Sequence, residues 1–172
     1  MALVEVVELE KVTDEDWQQV IAGEPEPWGS VGEGLRWRAK TRNLGLRDEA
    51  GKLVALAGSV LAEVQVADVS FKVVGIGGVI VTHADRGRGL ARVLIERVLQ
   101  SADELGAERA MLFCSPANVG LYAKFGFQLI REPVFARQPS GTVEMPLCAM
   151  WKPLTSAADW PEGRVELSEE PF

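Results

Sequence analysis

The 172-residue sequence predicts a single α/β domain, and three observations carry that prediction. A glycine-interrupted apolar stretch over residues 71–81 has the composition of a central strand. Residues 90–105 repeat apolar side chains at three- and four-residue steps, which is typical of an amphipathic helix. Residues 109–114 then read as a buried strand. A strand, helix, strand order of this length is a βαβ unit, so two strands are expected to run parallel.

The segment before this unit predicts a strand, a helix and a hairpin. Residues 3–9 form the strand, and Thr13 with acidic residues behind it suits the N-cap of the helix. A loop rich in proline and glycine spans residues 23–34, and residues 35–41 are helical or irregular. Residues 44–48 and 53–64 then flank a turn and form the hairpin.

The segment after the unit predicts a short helix over residues 118–124, ended by Gly126. A strand over residues 127–131 and a long strand over residues 142–151 follow. Because hairpin strands pair antiparallel, we expect a mixed and mostly antiparallel sheet.

The charge balance excludes some classes of protein. Lys and Arg number 18 against 25 Asp and Glu, a formal net charge of −7, which disfavours nucleic-acid binding as the main role. No apolar run approaches the length of a membrane-spanning helix, and the first ten residues lack the features of a signal peptide. We therefore predict a cytoplasmic protein. The two cysteines, Cys114 and Cys148, stand in apolar runs and are expected to be reduced core residues.

The acidic surplus lies at the two ends of the chain. Residues 5–26 carry eight acidic residues against Lys11, and residues 155–172 carry five against Arg164. The middle is mildly positive, which leaves room for a local anion site.

Such a site is predicted at the glycine-rich turn that enters the helix, Arg86-Gly87-Arg88-Gly89-Leu90-Ala91. Glycines let the backbone approach a ligand, and the free amides at a helix N-terminus attract anions. Arg86, Arg88 and Arg92 outweigh Asp85 there, so the turn suits a diphosphate. The alternative is a glycine loop with solvated arginines. The turn matches neither the nucleotide P-loop nor the dinucleotide pattern.

The turn and two later residues resemble the GNAT superfamily of N-acetyltransferases, whose cofactor loop reads Arg/Gln-x-x-Gly-x-Gly/Ala. Asn118 and Tyr122 repeat the family's Asn-x-x-x-Tyr spacing, and residues 122–127 read Tyr-Ala-Lys-Phe-Gly-Phe. The resemblance covers about residues 73–131. It implies a twisted mixed sheet with helices on both faces, and acetyl-CoA entering where two parallel strands diverge.

The resemblance also implies a role for each matched residue. Amides of the turn would hold the pyrophosphate, unpaired main-chain groups at Val79 and Val81 would bind the pantetheine arm, and Asn118 would bind its end. Tyr122 is the predicted catalytic residue, its hydroxyl donating a proton toward the thioester sulfur; alternatively its ring only packs under the loop. The predicted cofactor-binding residues are Val79, Ile80, Val81, Arg86, Gly87, Arg88, Gly89, Leu90, Ala91 and Asn118. No metal is expected.

The base for the amine acceptor stays open between His83, Glu33, Glu144 and water. Cys114 lacks a matched His or Asp partner, so the sequence offers no covalent nucleophile. We therefore expect direct attack by a primary amine in a ternary complex.

The closing third carries a narrower resemblance, to aminoglycoside 2′-N-acetyltransferases. It rests on short matches at residues 141–143, 156–157 and 159–160, with Gly163 and Val165 behind them. That family places a glutamate where this chain has Gly77, so its base is not carried over. A cationic acceptor would suit the acidic ends of the chain.

Residues 1–154 are predicted to be one acetyltransferase domain, with residues 155–172 as an acidic extension packed on or near it. The expected partner is a small-molecule amine rather than nucleic acid or membrane, and the chain is expected to be a monomer or homodimer. Trp28, Trp37 and Trp160 look exposed and suit an interface or a substrate pocket. Two alternatives remain: a non-catalytic acyl-CoA sensor, and an enzyme that acetylates peptide N-termini.

Overall fold

The computed structural model describes residues 3–25, 31–156 and 158–172. Ten strands and three α-helices are found in this part of the chain. The helices are α1 (Asp14–Ile21), α2 (Leu90–Gln100) and α3 (Val119–Ala123). The strands are β1 (Glu5–Leu9), β2 (Arg42–Arg47), β3 (Leu53–Val66), β4 (Val69–Val81), β5 (Arg109–Cys114), β6 (Gln128–Leu129), β7 (Val134–Gln138), β8 (Gly141–Glu144), β9 (Cys148–Pro153) and β10 (Val165–Leu167). Short 3₁₀ turns lie at His83–Asp85, Ala102–Leu105 and Pro116–Asn118.

All ten strands belong to one sheet in the order β6-β9-β5-β4-β3-β10-β7-β8, with β2 also paired to β3, and β1 to β2. β4 pairs parallel with β5, as the βαβ unit predicts, and β10 pairs parallel with β7. The other pairs are antiparallel. The predicted mixed, mostly antiparallel sheet is confirmed.

Helices cover both faces of the sheet, as expected. Leu94 and Ile95 of α2 pack with Ala55 and Ala57 on one face. Leu56 points the other way because side chains alternate along a strand, and it packs with Val20 of α1. Thr13 caps α1, and its hydroxyl and the Asp16 carboxylate complete the capping box that the sequence indicates.

Two boundaries near the βαβ unit differ from the prediction. β3 and β4 extend to a tight turn at residues 67–68, where Ala67 adopts a φ of 52°. α2 ends at Gln100 instead of residue 105, because the Ser101 hydroxyl donates to the Val98 carbonyl at 2.9 Å and competes with the helical pattern. Gly106 has a φ of 72°, the left-handed conformation expected there.

The long strand predicted over residues 142–151 is wrong. The chain forms β8 and β9 instead, because the Met145 amide donates to Val134 and Pro146 has no amide to continue the ladder. The sequence also missed β7 and β10, and the predicted strand over residues 127–131 is reduced to β6.

The end of the chain contributes to the sheet and to the core. β10 lies between β3 and β7 in the strand order. Phe172 is buried and packs with Val73, Met111 and Trp151. Among the described residues, no helix has the length and apolar content needed to cross a membrane.

Candidate active site

The two parallel strands at the centre of the sheet separate partway along their length. Pairing between β4 and β5 runs from Val73 with Arg109 to Ile76 with Leu112, and β4 then continues to Val81. The separation begins beside a β-bulge. Leu56 faces Ile80 while Gly58 faces Gly77, so β4 carries one extra residue there. Gly78 takes the left-handed conformation this bulge needs, with a φ of 61°.

The three predicted pantetheine-binding residues lie on this diverging end of β4. Val79 and Val81 are half-buried against the α2 side, and Ile80 is buried on the α1 side. The Val81 carbonyl accepts a hydrogen bond from Arg86 Nε at 3.1 Å. This carbonyl is therefore not the unpaired group that the sequence led us to expect, because the arginine folds back onto it.

The glycine-rich turn presents open backbone. Gly87 and Gly89 have φ values of 79° and 75°, and a Cβ added at either would meet no heavy atom within 4 Å. Gly89 is the N-cap of α2 and supplies no side-chain cap. No side chain at the N-cap therefore binds the first amides of α2, and the space beside the two glycines is open to a ligand. The turn fits an anionic group such as a pyrophosphate.

The arginines around the turn are neutralised more fully than the sequence count indicates. Arg86 pairs with Glu24 at 2.5 Å, Arg88 pairs with Asp85, and Arg92 pairs with Glu96 at 2.8 Å. The hydrogen bond from Arg86 lowers the pKa of Glu24 against a smaller opposing effect of burial. Since two of these carboxylates lie outside the turn, counting Asp85 alone overestimated the local positive field. The backbone amides are left as the main anion-binding feature.

Tyr122 lies on α3, with its ring between two phenylalanines. Its ring centroid is 6.2 Å from that of Phe125 and 6.1 Å from that of Phe127, both edge-on. Burial, and to a lesser degree the neighbouring Cys114, raises the pKa of the phenol above its ordinary value. The hydroxyl keeps its proton at neutral pH, as an ordinary phenol does, and burial extends this to higher pH. Packing of the ring is observed, and it is compatible with a chemical role for the hydroxyl.

Asn118 precedes α3 and is exposed. Its main-chain amide donates to Ser115, and its side chain does not cap the helix. The side-chain amide is thus directed neither to a cap nor to the core, which leaves it free to bind a ligand.

Cys114 and Cys148 face each other across β5 and β9, and both are free thiols, as expected. Burial, followed by the influence of Cys148, raises the pKa of the Cys114 thiol to about 12. A thiol that stays protonated is a poor nucleophile, so neither the sequence nor the geometry supplies an acyl-cysteine route.

The candidate bases separate into two groups. Glu33 and Glu144 line opposite sides of a cleft of about 640 Å³ between residues 32–35 and the β7–β8 hairpin. His83 instead lies exposed at the end of β4, where its Nδ1 is 3.2 Å from Arg86 Nη1. The strand order places β3 and β10 between β4 and β7, so His83 and the cleft occupy different parts of the molecule.

Lys40 lies beside the diverging end of β4, a placement that the sequence reasoning missed. Its stem covers Gly58 and Gly77, with Cε 2.7 Å from the place where a Gly77 Cβ would stand. Its ammonium donates to the Arg38 carbonyl at 2.9 Å. Burial, and then the positive charge of Arg38, lowers the pKa of Lys40 to about 8. The glycines on β3 and β4 were the available signal, because they leave space for another side chain. The sequence does not identify the residue that occupies this space.

Phe172 completes this region from the chain's end. Its ring lies over Gly75, where a Cβ would approach it to 2.5 Å, and its centroid is 5.4 Å from that of Phe113. Its main-chain carbon would come within 2.5 Å of a Gly77 Cβ. Gly77 therefore has no room for the glutamate of the narrower resemblance, because Lys40 and Phe172 fill that space.

The three tryptophans differ in their surroundings. Trp37 is exposed at 38% and makes an edge-on contact with Phe113. Trp160 is half-buried against Phe71 and Trp151, so its predicted exposure is wrong. Trp28 lies outside the described residues. No group of histidines, cysteines and carboxylates that could hold a metal occurs in the described ranges.

Residues 8–130 match the family model described as an acetyltransferase (GNAT) domain. Glucosamine 6-phosphate N-acetyltransferase 1 of Oryza sativa subsp. japonica is 35% identical over 80 residues, which are 46% of this chain and 48% of that protein. The matched region thus spans about half the length of this curated relative.

Two solved structures share the fold over most of their length. A GNAT family N-acetyltransferase from Escherichia coli, solved in complex with CoA, has a TM-score of 0.63 and 23% identity, covering 96% of this chain and 89% of that one. The ribosomal-protein-S18-alanine N-acetyltransferase of Escherichia coli has a TM-score of 0.59 and 18% identity, covering 93% and 99%. At these identities, the likeness establishes the fold.

Proposed function

We propose that this chain, which belongs to the GNAT acetyltransferase family, transfers the acetyl group of acetyl-CoA to a primary amine by direct attack in a ternary complex. The observation that carries the proposal is the separation of β4 from β5 beside an uncapped, glycine-bounded N-terminus of α2. Together these place the diverging end of β4 and an anion cradle next to each other along the chain.

The donor site is assigned residue by residue. Amides of Arg86, Gly87, Arg88, Gly89, Leu90 and Ala91 hold the pyrophosphate, supported by the open space beside both glycines. Main-chain groups of Val79, Ile80 and Val81 bind the pantetheine arm, and the Val81 carbonyl, which accepts from Arg86, has a second lone pair for the ligand. The exposed amide of Asn118 binds the end of the arm. When bound, acetyl-CoA supplies a thioester whose acyl carbon accepts the amine.

Tyr122 is assigned as the proton donor to the departing sulfur. The hydroxyl is protonated at neutral pH, so the phenol stabilises the thiolate by donating a hydrogen bond, while its raised pKa opposes full transfer of the proton. The high pKa of Cys114 favours direct transfer over an acyl-enzyme.

The acceptor is assigned as a small cationic amine. The cleft lined by Glu33 and Glu144 presents two exposed carboxylates, which attract a positively charged substrate. His83 lies just beyond the end of β4 that is assigned to the donor, so the base that takes the proton from the ammonium stays open between His83, Glu33, Glu144 and a water. Amino sugars are the first class to test, because aminoglycosides and the acceptor named for the rice relative both carry an amine on a sugar.

A coenzyme A release assay over a panel of amines tests the proposal. The panel contains an aminoglycoside, glucosamine 6-phosphate, a polyamine and a peptide with a free N-terminus. Turnover of an amino sugar or polyamine, lowered at least about 100-fold by Tyr122→Phe, is the expected result. Turnover of the peptide alone would indicate that the acceptor is a protein N-terminus. Acetyl-CoA binding without turnover of any amine would instead favour the sensor.

The cytoplasmic location and the monomeric or homodimeric state stay predictions from the sequence.

A further inference from the structure

Lys40 brings an amine to the strand that is assigned to the acetyl donor. Its stem lies directly on the backbones of β3 and β4, because Gly58 and Gly77 have no side chains to hold it away. Gly77 immediately precedes the bulge at Gly78 and the part of β4 that has separated from β5. Cε lies 2.7 Å from the position of a Gly77 Cβ, and Nζ is bonded directly to this atom.

The surroundings of Lys40 favour a neutral, nucleophilic amine. In the described part of the chain, no Asp or Glu side chain forms an ion pair with it. After burial, the charge that lowers its pKa is that of Arg38, whose guanidinium is itself paired with Glu169 at 3.2 Å. The main-chain carbon and oxygen of Phe172 face the same Gly77 position as the Lys40 stem. Nζ donates one hydrogen bond, to the Arg38 carbonyl, and a neutral amine then keeps a lone pair for attack.

The shifted pKa sets how much of this nucleophile is present. With a pKa of about 8, about half of the Lys40 side chains are neutral at that pH. An ordinary lysine, with a pKa near 10.4, would be less than about 1% neutral there. Lys40 therefore offers on the order of 100 times more free amine than a solvated lysine.

We infer that Lys40 is a self-acetylation site, modified by acetyl-CoA bound in the chain's own active site. The inference rests on the proposed function. The Nζ lone pair forms a bond to the acyl carbon, the carbon–sulfur bond breaks, and the ammonium proton leaves to the sulfur or to solvent. The products are N-acetyl-Lys40 and coenzyme A, with no oxidant or further reactant.

The test uses the full chain with acetyl-CoA and no added amine. Intact mass spectrometry is expected to show one acetyl group per chain, and peptide mapping to place it on Lys40. The first-order rate constant is expected to stay the same over a wide range of protein concentration, because donor and acceptor share one molecule. It is also expected to rise with pH to about 8 and then level, because only the neutral amine attacks.

Lys152 is the matched control. It is also half-buried, and its Nζ also donates to a main-chain carbonyl, that of Phe125 at 2.5 Å, but its stem lies at Gly126 rather than on β4. We expect Lys152 to remain unmodified while Lys40 is acetylated. Lys40→Arg keeps the positive charge and is expected to abolish the mass increase, whereas Lys152→Arg is expected to leave it unchanged.

Several outcomes overturn the inference and separate it from the proposed function. If the amine panel is turned over while Lys40 stays unmodified, self-acetylation is wrong and the acetyltransferase assignment stands. Equal labelling of Lys40 and Lys152, or a rate constant proportional to protein concentration, points to ordinary chemical or intermolecular acetylation. A chain that does not bind acetyl-CoA would contradict both the acetyltransferase assignment and self-acetylation. If Lys40→Arg does not fold, peptide mapping of the wild-type chain still shows whether Lys40 is acetylated.

Discussion

At the scale of single residues, Tyr122 combines a packing role with a chemical one. Its edge-on contacts with Phe125 and Phe127 fix the ring, and the same burial that fixes it also holds the proton on the hydroxyl. A phenol made more acidic would ionise and lose the hydrogen that it has to donate. Burial is therefore compatible with the proposed donor role, although it opposes full proton transfer.

Tyr122 is the sole tyrosine, so its ionisation can be followed in the intact protein by ultraviolet absorbance. We expect no tyrosinate in the folded chain near pH 10, where the chain unfolded in guanidinium chloride titrates with a pKa of about 10. Because the folded pKa is raised, its contribution to stability is fully present below the unfolded pKa and is lost as the pH rises above it. Identical titrations of the folded and unfolded chains would show that the hydroxyl is solvated.

At the scale of elements, the sequence predicts the donor half of the site much better than the acceptor half. β5 was predicted with its observed bounds, and the start of α2 with its glycine turn was also predicted, because periodicity and turn glycines are local signals. The β7–β8 hairpin and the break at Pro146 are local features that the sequence reasoning overlooked. β10 was missed because its partners, β3 and β7, are distant in sequence.

The same limit applies to individual contacts. The ion pair of Arg86 with Glu24 joins residues 62 positions apart. The contact of Lys40 with Gly77 joins two segments whose residue patterns do not indicate that they are neighbours. Composition indicated a positive turn because it counts charges only along the chain. Ion pairs with Glu24 and Glu96 neutralise the remaining positive charge, and the pair with Glu24 cannot be read from the local sequence.

The turn before α2 allows a test with a closely matched control. Gly89 and Gly106 both have a positive φ, 75° and 72°, and a Cβ added at either meets no heavy atom within 4 Å. Replacing either glycine by alanine is expected to cost about 1 kcal/mol of unfolding free energy, from backbone strain alone.

Only Gly89→Ala is expected to weaken acetyl-CoA binding, by about tenfold, because its methyl group would occupy open space that is assigned to the pyrophosphate. Isothermal titration calorimetry gives the dissociation constants, and urea unfolding gives the stabilities. Equal acetyl-CoA affinities for Gly89→Ala and Gly106→Ala would show that the turn does not bind the donor.

At the scale of the whole molecule, the C-terminal segment ties distant parts of the chain together. Glu170 pairs with Arg36 at 3.1 Å, and the Arg38 amide donates to the Pro171 carbonyl at 2.7 Å. These contacts lead Phe172 to its place over Gly75. The division into a domain of residues 1–154 and an extension of residues 155–172 stays a prediction, and β10 favours counting the extension as part of the catalytic unit.

Phe172→Ala is expected to lower the free energy of unfolding by about 3–5 kcal/mol, the usual cost of removing a buried aromatic ring. The ring is 2% exposed, whereas Leu129 on β6 is 46% exposed and supplies the control Leu129→Ala, expected to change stability little. Chemical denaturation of both variants measures the difference. A Phe172→Ala variant as stable as the wild type would mean that the segment is not docked in solution.

The position of β10 also governs the order in which the molecule can assemble. In the strand order of the described residues, the β7–β8 hairpin reaches the rest of the sheet only through β10. The hairpin is synthesised well before residues 165–167, yet it gains its sheet neighbour only after they emerge. Closing such long loops delays folding. The β7–β8 hairpin, which carries Glu144, is therefore expected to be among the last parts of the protein to fold on the ribosome. The donor cradle, made of neighbouring segments, can form much earlier.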